Sequence, residues 1–347
     1  MRYIHILFSL CLVLAVRCGN LGSFRECPCE QSSGCYCVQH SLCRTVATIE
    51  GSALPHASRL NATSHGCSEG EVCCGNLRKK FTSRASRQPV ACGVRGPVYR
   101  ILRGETDTGP GEFPWMLAVM KNENSKWKFH CGASIISKNI ALTAAHCVDD
   151  YEDNVGKVAI RADYWDLKDK EFEQLKVEKV VLHPEYSSDP PRNDIALIIT
   201  QSNFRLGENV SPVCIPPKTF TFPPGTRCIA TGWGRNTYVP NDTEDTEMKK
   251  VEVPIVSREI CQRRLRRTFL GRSFRLHKSF MCAGGESQMD TCQGDGGSPL
   301  VCNYKDYYFQ AGIVSWGIGC GVPRLPGVYT DVTLYRDWIK EALDLYA

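Results

Sequence analysis

The chain has 347 residues, a net charge of +5 and 20 cysteines. That length allows two or three domains, and the cysteine content is high for a chain of this size. Beyond the N-terminal segment no apolar run approaches the length needed to cross a bilayer, so the composition excludes an integral membrane protein built from helices.

Residues 1–18 predict a signal peptide, because Arg2 precedes an apolar run over 6–16 that is too short to span a membrane. We therefore expect a soluble secreted protein in an oxidising compartment, where cysteines form disulfides. Removal of Cys11 and Cys18 from the 20 cysteines leaves 18, an even number consistent with nine disulfides. Zinc binding is the weaker alternative, since paired Cys-x-x-Cys units are absent.

Residues 27–74 form a short cysteine-rich segment. Its eight cysteines are Cys27, Cys29, Cys35, Cys37, Cys43, Cys67, Cys73 and Cys74. The short Cys-x-Cys start at Cys35 and the adjacent pair at the end resemble the arthropod clip domain, for which six cysteines suffice. The pairing of the two extra cysteines stays open, because bonding within Cys-x-Cys would be strained. A segment this short has too little core without disulfides; a stapled spacer with no binding role is the alternative.

Residues 75–100 are interpreted as a linker that is basic and lacks apolar periodicity. Its cations are Arg78, Lys79, Lys80, Arg84, Arg87, Arg95 and Arg100. Exposed basic linkers are easily cut by trypsin-like proteases. A solvated run of charge is the alternative interpretation.

The chain from residue 101 onward is rich in predicted strands. Short apolar or alternating runs at 133–136, 177–182, 195–200 and 310–314 are bounded by turn residues. Such a pattern suits two small antiparallel barrels in a mostly β fold. Residues 335–346 instead predict a helix that docks on the core, because apolar residues recur there at helical spacing.

Six short motifs in this part of the chain carry a specific resemblance. They are LTAAHC at 142–147, NDIAL at 193–197, GWG at 232–234, GDGGSP at 294–299, SWG at 315–317 and PGVYT at 326–330. In order and spacing they resemble the trypsin/chymotrypsin family over residues 101–347. The resemblance implies a chymotrypsin-like pair of six-stranded barrels, with His146 at the position of the base and Asp194 at that of the residue that orients it.

Gly296 stands where this family has its nucleophile. A hydroxyl attacks a carbonyl, and glycine has none. Ser298 lies two residues farther on, and two residues displace a side chain by roughly 6–7 Å, beyond hydrogen-bond reach of the base. We therefore expect a non-enzyme with vestigial His146 and Asp194 and with no cofactor or metal; a metal site on these two residues would lack further ligands.

The resemblance also implies an activation bond at Arg100–Ile101. The freed ammonium of Ile101 would pair with Asp295, and a buried carboxylate without its cation costs about 3–5 kcal/mol. Cleavage could therefore drive a rearrangement that needs no nucleophile. Arg103 replaces a glycine usual in the family, which leaves open an incomplete or different insertion.

Disulfides and a substrate cleft are further implications of the resemblance. The implied pairs are Cys131–Cys147, Cys228–Cys302, Cys261–Cys282, Cys292–Cys320 and Cys92–Cys214, the last of which tethers the segment upstream of the cleavage bond. Asp290 matches the floor of the primary specificity pocket, and Gly317 and Gly327 match its open walls. The cleft is expected either to bind an Arg or Lys segment without cutting it or to be an empty, partly collapsed relic.

A basic segment at residues 263–278, a surface loop in the family, carries seven cations and no acid. The cations are Arg263, Arg264, Arg266, Arg267, Arg272, Arg275 and Lys278. Their positive potential could attract an acidic protein surface, a sulfated glycan or a microbial anionic surface; a solvated face is the alternative. Nucleic acid is not an expected partner of a secreted protein. Glycosylation sequons occur at Asn61 and Asn241.

Taken together, the chain resembles the arthropod clip-domain serine protease homologues. Members with glycine at the nucleophile position act as cofactors in prophenoloxidase activation and melanisation, a branch of innate immunity. The resemblance implies secretion into haemolymph or venom, and partners among active clip-domain proteases and prophenoloxidase. Two alternatives stay open: a decoy that inhibits the same cascade, and a pattern-recognition or adhesion protein that uses the basic segment. Ser298 replaces the family's usual third glycine, so the shape of this loop is open.

Overall fold

The computed structural model describes residues 36–39, 71–74, 91–97, 106–218, 220–234, 246–286, 295–319 and 321–347. The chain divides into two units, Met1–Ser86 and Arg87–Ala347. In the first unit, strands β1 (Tyr36–Gln39) and β2 (Glu71–Cys74) form an antiparallel pair. The expected signal peptide, both residues of the expected cleavage bond, Asp290 and both sequon asparagines lie outside the described residues.

The second unit begins with a closed antiparallel barrel of six strands. The strands of this half are β3 (Met116–Glu123), β4 (Lys126–Ile135), β5 (Ile140–Thr143), β6 (Val158–Ala162), β7 (Glu173–Leu182), the short hairpin β8 (Ser187–Ser188) and β9 (Pro191–Arg192), and β10 (Ala196–Thr200). The barrel order is β10-β5-β4-β3-β6-β7. Every residue of β10 is buried, whereas β7 alternates and turns Leu175 and Val177 inward.

A second closed barrel of six strands follows. Its strands are β11 (Arg227–Gly232), β12 (Lys249–Val256), β13 (Phe280–Ala283), β14 (Pro299–Tyr304), β15 (Tyr307–Trp316) and β16 (Gly327–Asp331), in the order β11-β12-β13-β16-β15-β14. The prediction of a mostly β fold with two six-stranded barrels is confirmed. The four predicted runs lie on β4, β7, β10 and β15. Each strand includes its predicted run to within one residue at either end.

Among the described residues, two α-helices pack on the barrels. Helix α1 (Arg258–Leu265) begins after Ser257, whose Oγ accepts a hydrogen bond from Ile260 N. The first part of the basic segment is therefore helical, where the sequence indicated only a loop. Helix α2 (Arg336–Tyr346) is the predicted C-terminal helix, and its buried Ile339 and Ala342 join the core of the first barrel. None of the described helices is long and apolar enough to cross a bilayer.

Four disulfides lie among the described residues: Cys92–Cys214, Cys131–Cys147, Cys228–Cys302 and Cys261–Cys282. The Cys92–Cys214 disulfide anchors the segment 91–97. Two backbone hydrogen bonds of 2.8 Å also hold this segment: Gly93 N donates to Pro212 O, and Tyr308 N donates to Gly93 O. Cys292 and Cys320 lie outside the described residues.

Candidate functional site

Strand register in the first barrel brings His146 and Asp194 together. Strands β5 and β10 are antiparallel neighbours in which Thr143 lies opposite Ala196. His146 follows β5 on the short 3-10 turn Ala145–Cys147, and Asp194 precedes β10. Because the strands run in opposite directions, the residue after one and the residue before the other meet at the same end of the barrel.

The carboxylate of Asp194 is almost completely buried and accepts three hydrogen bonds. Oδ2 accepts from His146 Nδ1 at 2.8 Å and from Ser315 Oγ at 2.5 Å, and Oδ1 accepts from His146 N at 2.9 Å. The imidazole is thereby fixed with Nε2 turned away from Asp194. This arrangement is that of a base held in place by its orienting carboxylate.

The electrostatics of the pair favour charge separation. Burial acts to lower the pKa of His146, but the hydrogen bond and negative charge of Asp194 outweigh it, so the pKa of His146 is raised. Burial acts to raise the pKa of Asp194, but the hydrogen bond and charge of His146 and the hydroxyl of Ser315 outweigh it, so that pKa is lowered. Asp194 therefore stays ionised beside a base of raised affinity for protons.

Gly296 lies directly against the free face of this base. An ideal Cβ built on Gly296 would be 3.0 Å from His146 Nε2 and 3.8 Å from Cys131 Sγ. A backbone hydrogen bond of 2.8 Å from Gly132 N to Gly296 O holds the loop to the first barrel. The position therefore faces the base as a nucleophile would, but it carries no atom that can give up a proton.

Ser298 points elsewhere in the same loop. Its side chain is fully buried, and an ideal Cβ on Gly132 would lie 2.0 Å from its Oγ. Among the described residues, this hydroxyl has no hydrogen-bond partner. It thus packs between the two barrels, against Gly132 and Gly232, and does not serve the base.

The preceding residue, Asp295, lies close to the GWG motif. Its Oδ1 accepts a hydrogen bond from Gly234 N at 2.8 Å. An ideal Cβ on Gly232 would lie 2.0 Å from the same oxygen, so only glycine fits at this position. The absence of side chains at Gly232 and Gly234 therefore leaves space for the carboxylate of Asp295.

One grouping beside the base has the composition of a metal site. The atoms Cys131 Sγ, His146 Nε2 or Nδ1, and Cys147 Sγ lie within 4.8 Å of one another. The two sulfurs are bonded to each other, with an S–S distance of 2.03 Å, and cannot act as thiolates. The disulfide accounts for this grouping.

Comparison with known proteins agrees with this geometry. The model of the Trypsin family matches residues 102–339. The chain belongs to the trypsin family. It is 42% identical over 275 residues to phenoloxidase-activating factor 2 from Galleria mellonella, covering 73% of this chain and 89% of that protein.

Two other relatives place the chain within this family. It is 34% identical over 341 residues to the inactive CLIP domain-containing serine protease A28 of Anopheles gambiae, covering 89% of this chain and 88% of the relative. It is 36% identical over 242 residues to a tryptase of Mus musculus, covering 69% and 87%. The predicted membership of the arthropod clip-domain serine protease homologues is confirmed.

Of the three residues expected to form the specificity pocket, only Gly317 and Gly327 lie among the described residues. Asp290 lies outside the described residues, and so does Gly294. Gly327 starts β16, and a Cβ on Gly317 would lie 3.7 Å from Gly319 O, its one contact among the described residues.

The basic segment covers the last residues of α1 and the turns that follow it. Arg263, Arg267, Arg272, Arg275 and Lys278 are exposed, while Arg264 and Arg266 are half-buried. Within the part of the chain that the structure describes, none of the seven forms a salt bridge with an acid. Phe269, in the same segment, is 84% exposed. The segment thus presents uncompensated positive charge and an exposed aromatic ring.

Proposed function

We propose that this protein is a secreted, non-catalytic serine protease homologue that acts as a cofactor in the melanisation cascade of innate immunity. The observation that carries the proposal is Gly296 facing a His146–Asp194 pair of ordinary geometry. Nucleophilic catalysis needs a hydroxyl, thiol or comparable group at that point, and glycine supplies none. The names of two relatives, a phenoloxidase-activating factor and an inactive protease, support the same assignment.

Cleavage at Arg100–Ile101 is the proposed switch. The new ammonium of Ile101 would compete for the Asp295 carboxylate, whose Oδ1 accepts from Gly234 N. Movement of the loop that carries Asp295 would change the surface around the GWG motif. A partner could therefore distinguish the cut chain from the uncut chain. The disulfide Cys92–Cys214 would keep the upstream segment attached afterwards.

The partners we propose are an active clip-domain protease or prophenoloxidase. A cleft with Asp290 at its floor and Gly317 and Gly327 as walls would hold an Arg or Lys side chain of either one. Because the bound segment would not be cut, the chain would present it or keep it in place. The proposed domains are a signal peptide at 1–18, a clip domain at 27–74, a linker at 75–100 and a protease-like domain at 101–347.

A melanisation assay with purified components tests the cofactor role. The full chain, cut at Arg100, is added to prophenoloxidase and an active clip-domain protease, and phenoloxidase activity is followed. Cut wild type should speed its appearance, and Arg100→Gln, treated with the same protease, should not. Arg103→Gln is the matched control, since it removes one arginine but leaves the bond at Arg100.

The direction of the effect separates the cofactor from the decoy. Slower phenoloxidase generation with cut wild type would show that the chain acts as an inhibitory decoy and not as a cofactor. No change in rate, with cleavage verified, would also refute the proposal. Equal acceleration by wild type and Arg100→Gln would retain the cofactor role but remove the switch.

The exposed, unpaired arginines favour a second candidate, recognition of an anionic surface or glycan. Retention on a heparin column, eluted with salt, measures it. Replacing Arg263, Arg267, Arg272 and Arg275 by Gln should lower the eluting salt concentration. The matched control replaces four exposed lysines on the other barrel: Lys157, Lys168, Lys170 and Lys176. If both sets elute alike, only total charge matters and this candidate fails.

A further inference from the structure

A surface pocket of about 320 Å³ lies on the second barrel, beside the N-terminal end of helix α1. Its lining is mainly apolar, with two cations and one acid: Val256, Phe280, Met281, Cys282, Leu334, Arg258, Lys278 and Asp331. None of these residues belongs to the His146–Asp194 site, and only Lys278 belongs to the basic segment. Leu334 is 56% exposed and extends the apolar lining to the surface.

The cation Arg258 is held rigidly without being neutralised. Its NH1 donates to Phe280 O at 2.9 Å, and its NH2 donates to Leu276 O. Both acceptors are uncharged carbonyl oxygens, so they orient the guanidinium and leave its charge available. Among the described residues, neither Arg258 nor Lys278 forms a salt bridge.

The surroundings of the pocket add to the positive potential. Burial is the largest cause of the lowered pKa of His277, and the charges of Arg192, Lys278 and Arg258 add to it. The acid in the lining, Asp331, accepts hydrogen bonds at Oδ1 from Thr333 N at 3.1 Å and from Thr333 Oγ1 at 2.6 Å, and the charge of Arg258 also acts on it. The lining thus holds two cations against one carboxylate.

We propose that this pocket binds an acidic segment of a partner protein, with one apolar side chain inserted among Phe280, Met281 and Leu334 and flanking carboxylates paired with Arg258 and Lys278. The apolar floor favours a peptide over a sulfated glycan, whose rings present polar groups. An apolar anchor surrounded by complementary charge is the usual composition of a binding hot spot. The inference does not depend on the cofactor role.

Fluorescence anisotropy with a labelled synthetic peptide tests the pocket. The probe has a central phenylalanine flanked by glutamates, and its partner probe has serine at the centre. Against wild type, Lys278→Glu and Leu334→Ser should each weaken binding of the phenylalanine probe by about fivefold or more. Arg272→Glu is the matched control: it makes the same charge change in the same segment outside the pocket, and should weaken binding by less than about twofold.

Several outcomes would overturn the proposal. Equal effects of Lys278→Glu and Arg272→Glu would reduce the site to general electrostatic attraction, as would equal binding of the two probes to wild type. Both changed residues in the pocket are exposed at the surface, and circular dichroism checks that the variants fold. A heparin fragment or an anionic vesicle that binds more tightly than the peptide and depends on both Lys278 and Leu334 would assign the pocket to another class of ligand.

Discussion

An ideal Cβ on Gly296 lies 3.0 Å from Nε2 of His146. A base, its orienting carboxylate and the backbone of the nucleophile loop are therefore assembled around a missing side chain. At 3.0 Å the contact is tighter than most, so a real side chain would require the imidazole to move by a few tenths of an ångström. The distance makes the proposed loss of catalysis a matter of one residue and a small adjustment.

Gly296→Ser should regain reactivity toward a fluorophosphonate probe after cleavage at Arg100. Loss of the nucleophile from a comparable triad costs about 10⁶ in turnover. We expect a gain on the order of 10⁴ over wild type, because a misplacement of about 1 Å can cost 10²-fold of the full 10⁶. Labelled peptides, identified by mass spectrometry, locate the reactive position.

Two double variants complete this test. Gly296→Ser with Ser298→Ala should stay reactive, since Ser298 is buried between the barrels; Gly296→Ser with His146→Ala should not. A folded, cut Gly296→Ser protein that takes no label would contradict the inferred geometry. Labelling of wild type at Ser298 would contradict the non-enzymatic assignment.

The raised pKa of His146 gives a second prediction. Because folding raises this pKa above the ordinary value of about 6.5, the pair with Asp194 stabilises the fold fully below about pH 6.5, and that contribution is lost as pH rises through the folded pKa. Asp194→Asn should lower the pKa of His146 and remove this pH dependence of unfolding. Nuclear magnetic resonance titration of the imidazole signals measures it.

His183 is the internal reference for that titration. Burial is the largest cause of its lowered pKa, and the negative charge of Glu185 partly opposes that effect. Its titration should therefore be the same in both proteins. An unchanged pKa of His146 in Asp194→Asn, or a wild-type value below about 6.5, would show that the carboxylate does not control the base.

A buried charge cluster gives a third prediction. Glu112 is fully buried and accepts from Lys250 Nζ at 2.8 Å, from Gly109 N at 3.0 Å and from Arg95 NH2. Glu112→Gln leaves two cations without their anion and should lower the free energy of unfolding by about 3 kcal/mol. Urea denaturation measures the loss.

The matched control for Glu112 is an exposed pair. Asp337 and Lys218 are bonded at 2.5 Å, but their side chains are 66% and 73% exposed. Asp337→Asn should therefore change the free energy of unfolding by less than about 1 kcal/mol. Equal losses in the two variants would mean that burial does not set the energy of the Glu112 cluster.

The sequence predicted the barrels, and it indicated that His146, Asp194 and Gly296 belong to one site, because both features leave local marks. Alternating or apolar runs marked the strands, and short motifs marked His146, Asp194 and Gly296. The hydrogen bond from Ser315 to Asp194 joins residues 121 apart, and that from Lys250 to Glu112 joins residues 138 apart. No local pattern reveals such contacts, because the barrel register alone brings them together.

Helix α1 and the pocket were missed for different reasons. The helix buries only Cys261 and Leu265, so its apolar period is weak; Ser257 as a cap and Glu259 in the first turn were the available signals. The pocket collects β12, β13 and the turn after β16, whose residues are far apart in sequence. One of its cations, Lys278, lies in the segment 263–278, but its apolar floor could not be read from that segment.

The loop that carries Gly296 also depends on its neighbour. Gly297 has φ +79, and an ideal Cβ there would lie 2.3 Å from Thr143 Oγ1 and 2.4 Å from Gly132 O. Gly297→Ala should cost about 3 kcal/mol or more, since backbone strain of about 1–2 kcal/mol adds to a clash. Gly271 has φ +77 with nothing within 4 Å, so Gly271→Ala should lose only the strain. Urea denaturation compares them; equal losses would show that the loop is not packed against the first barrel.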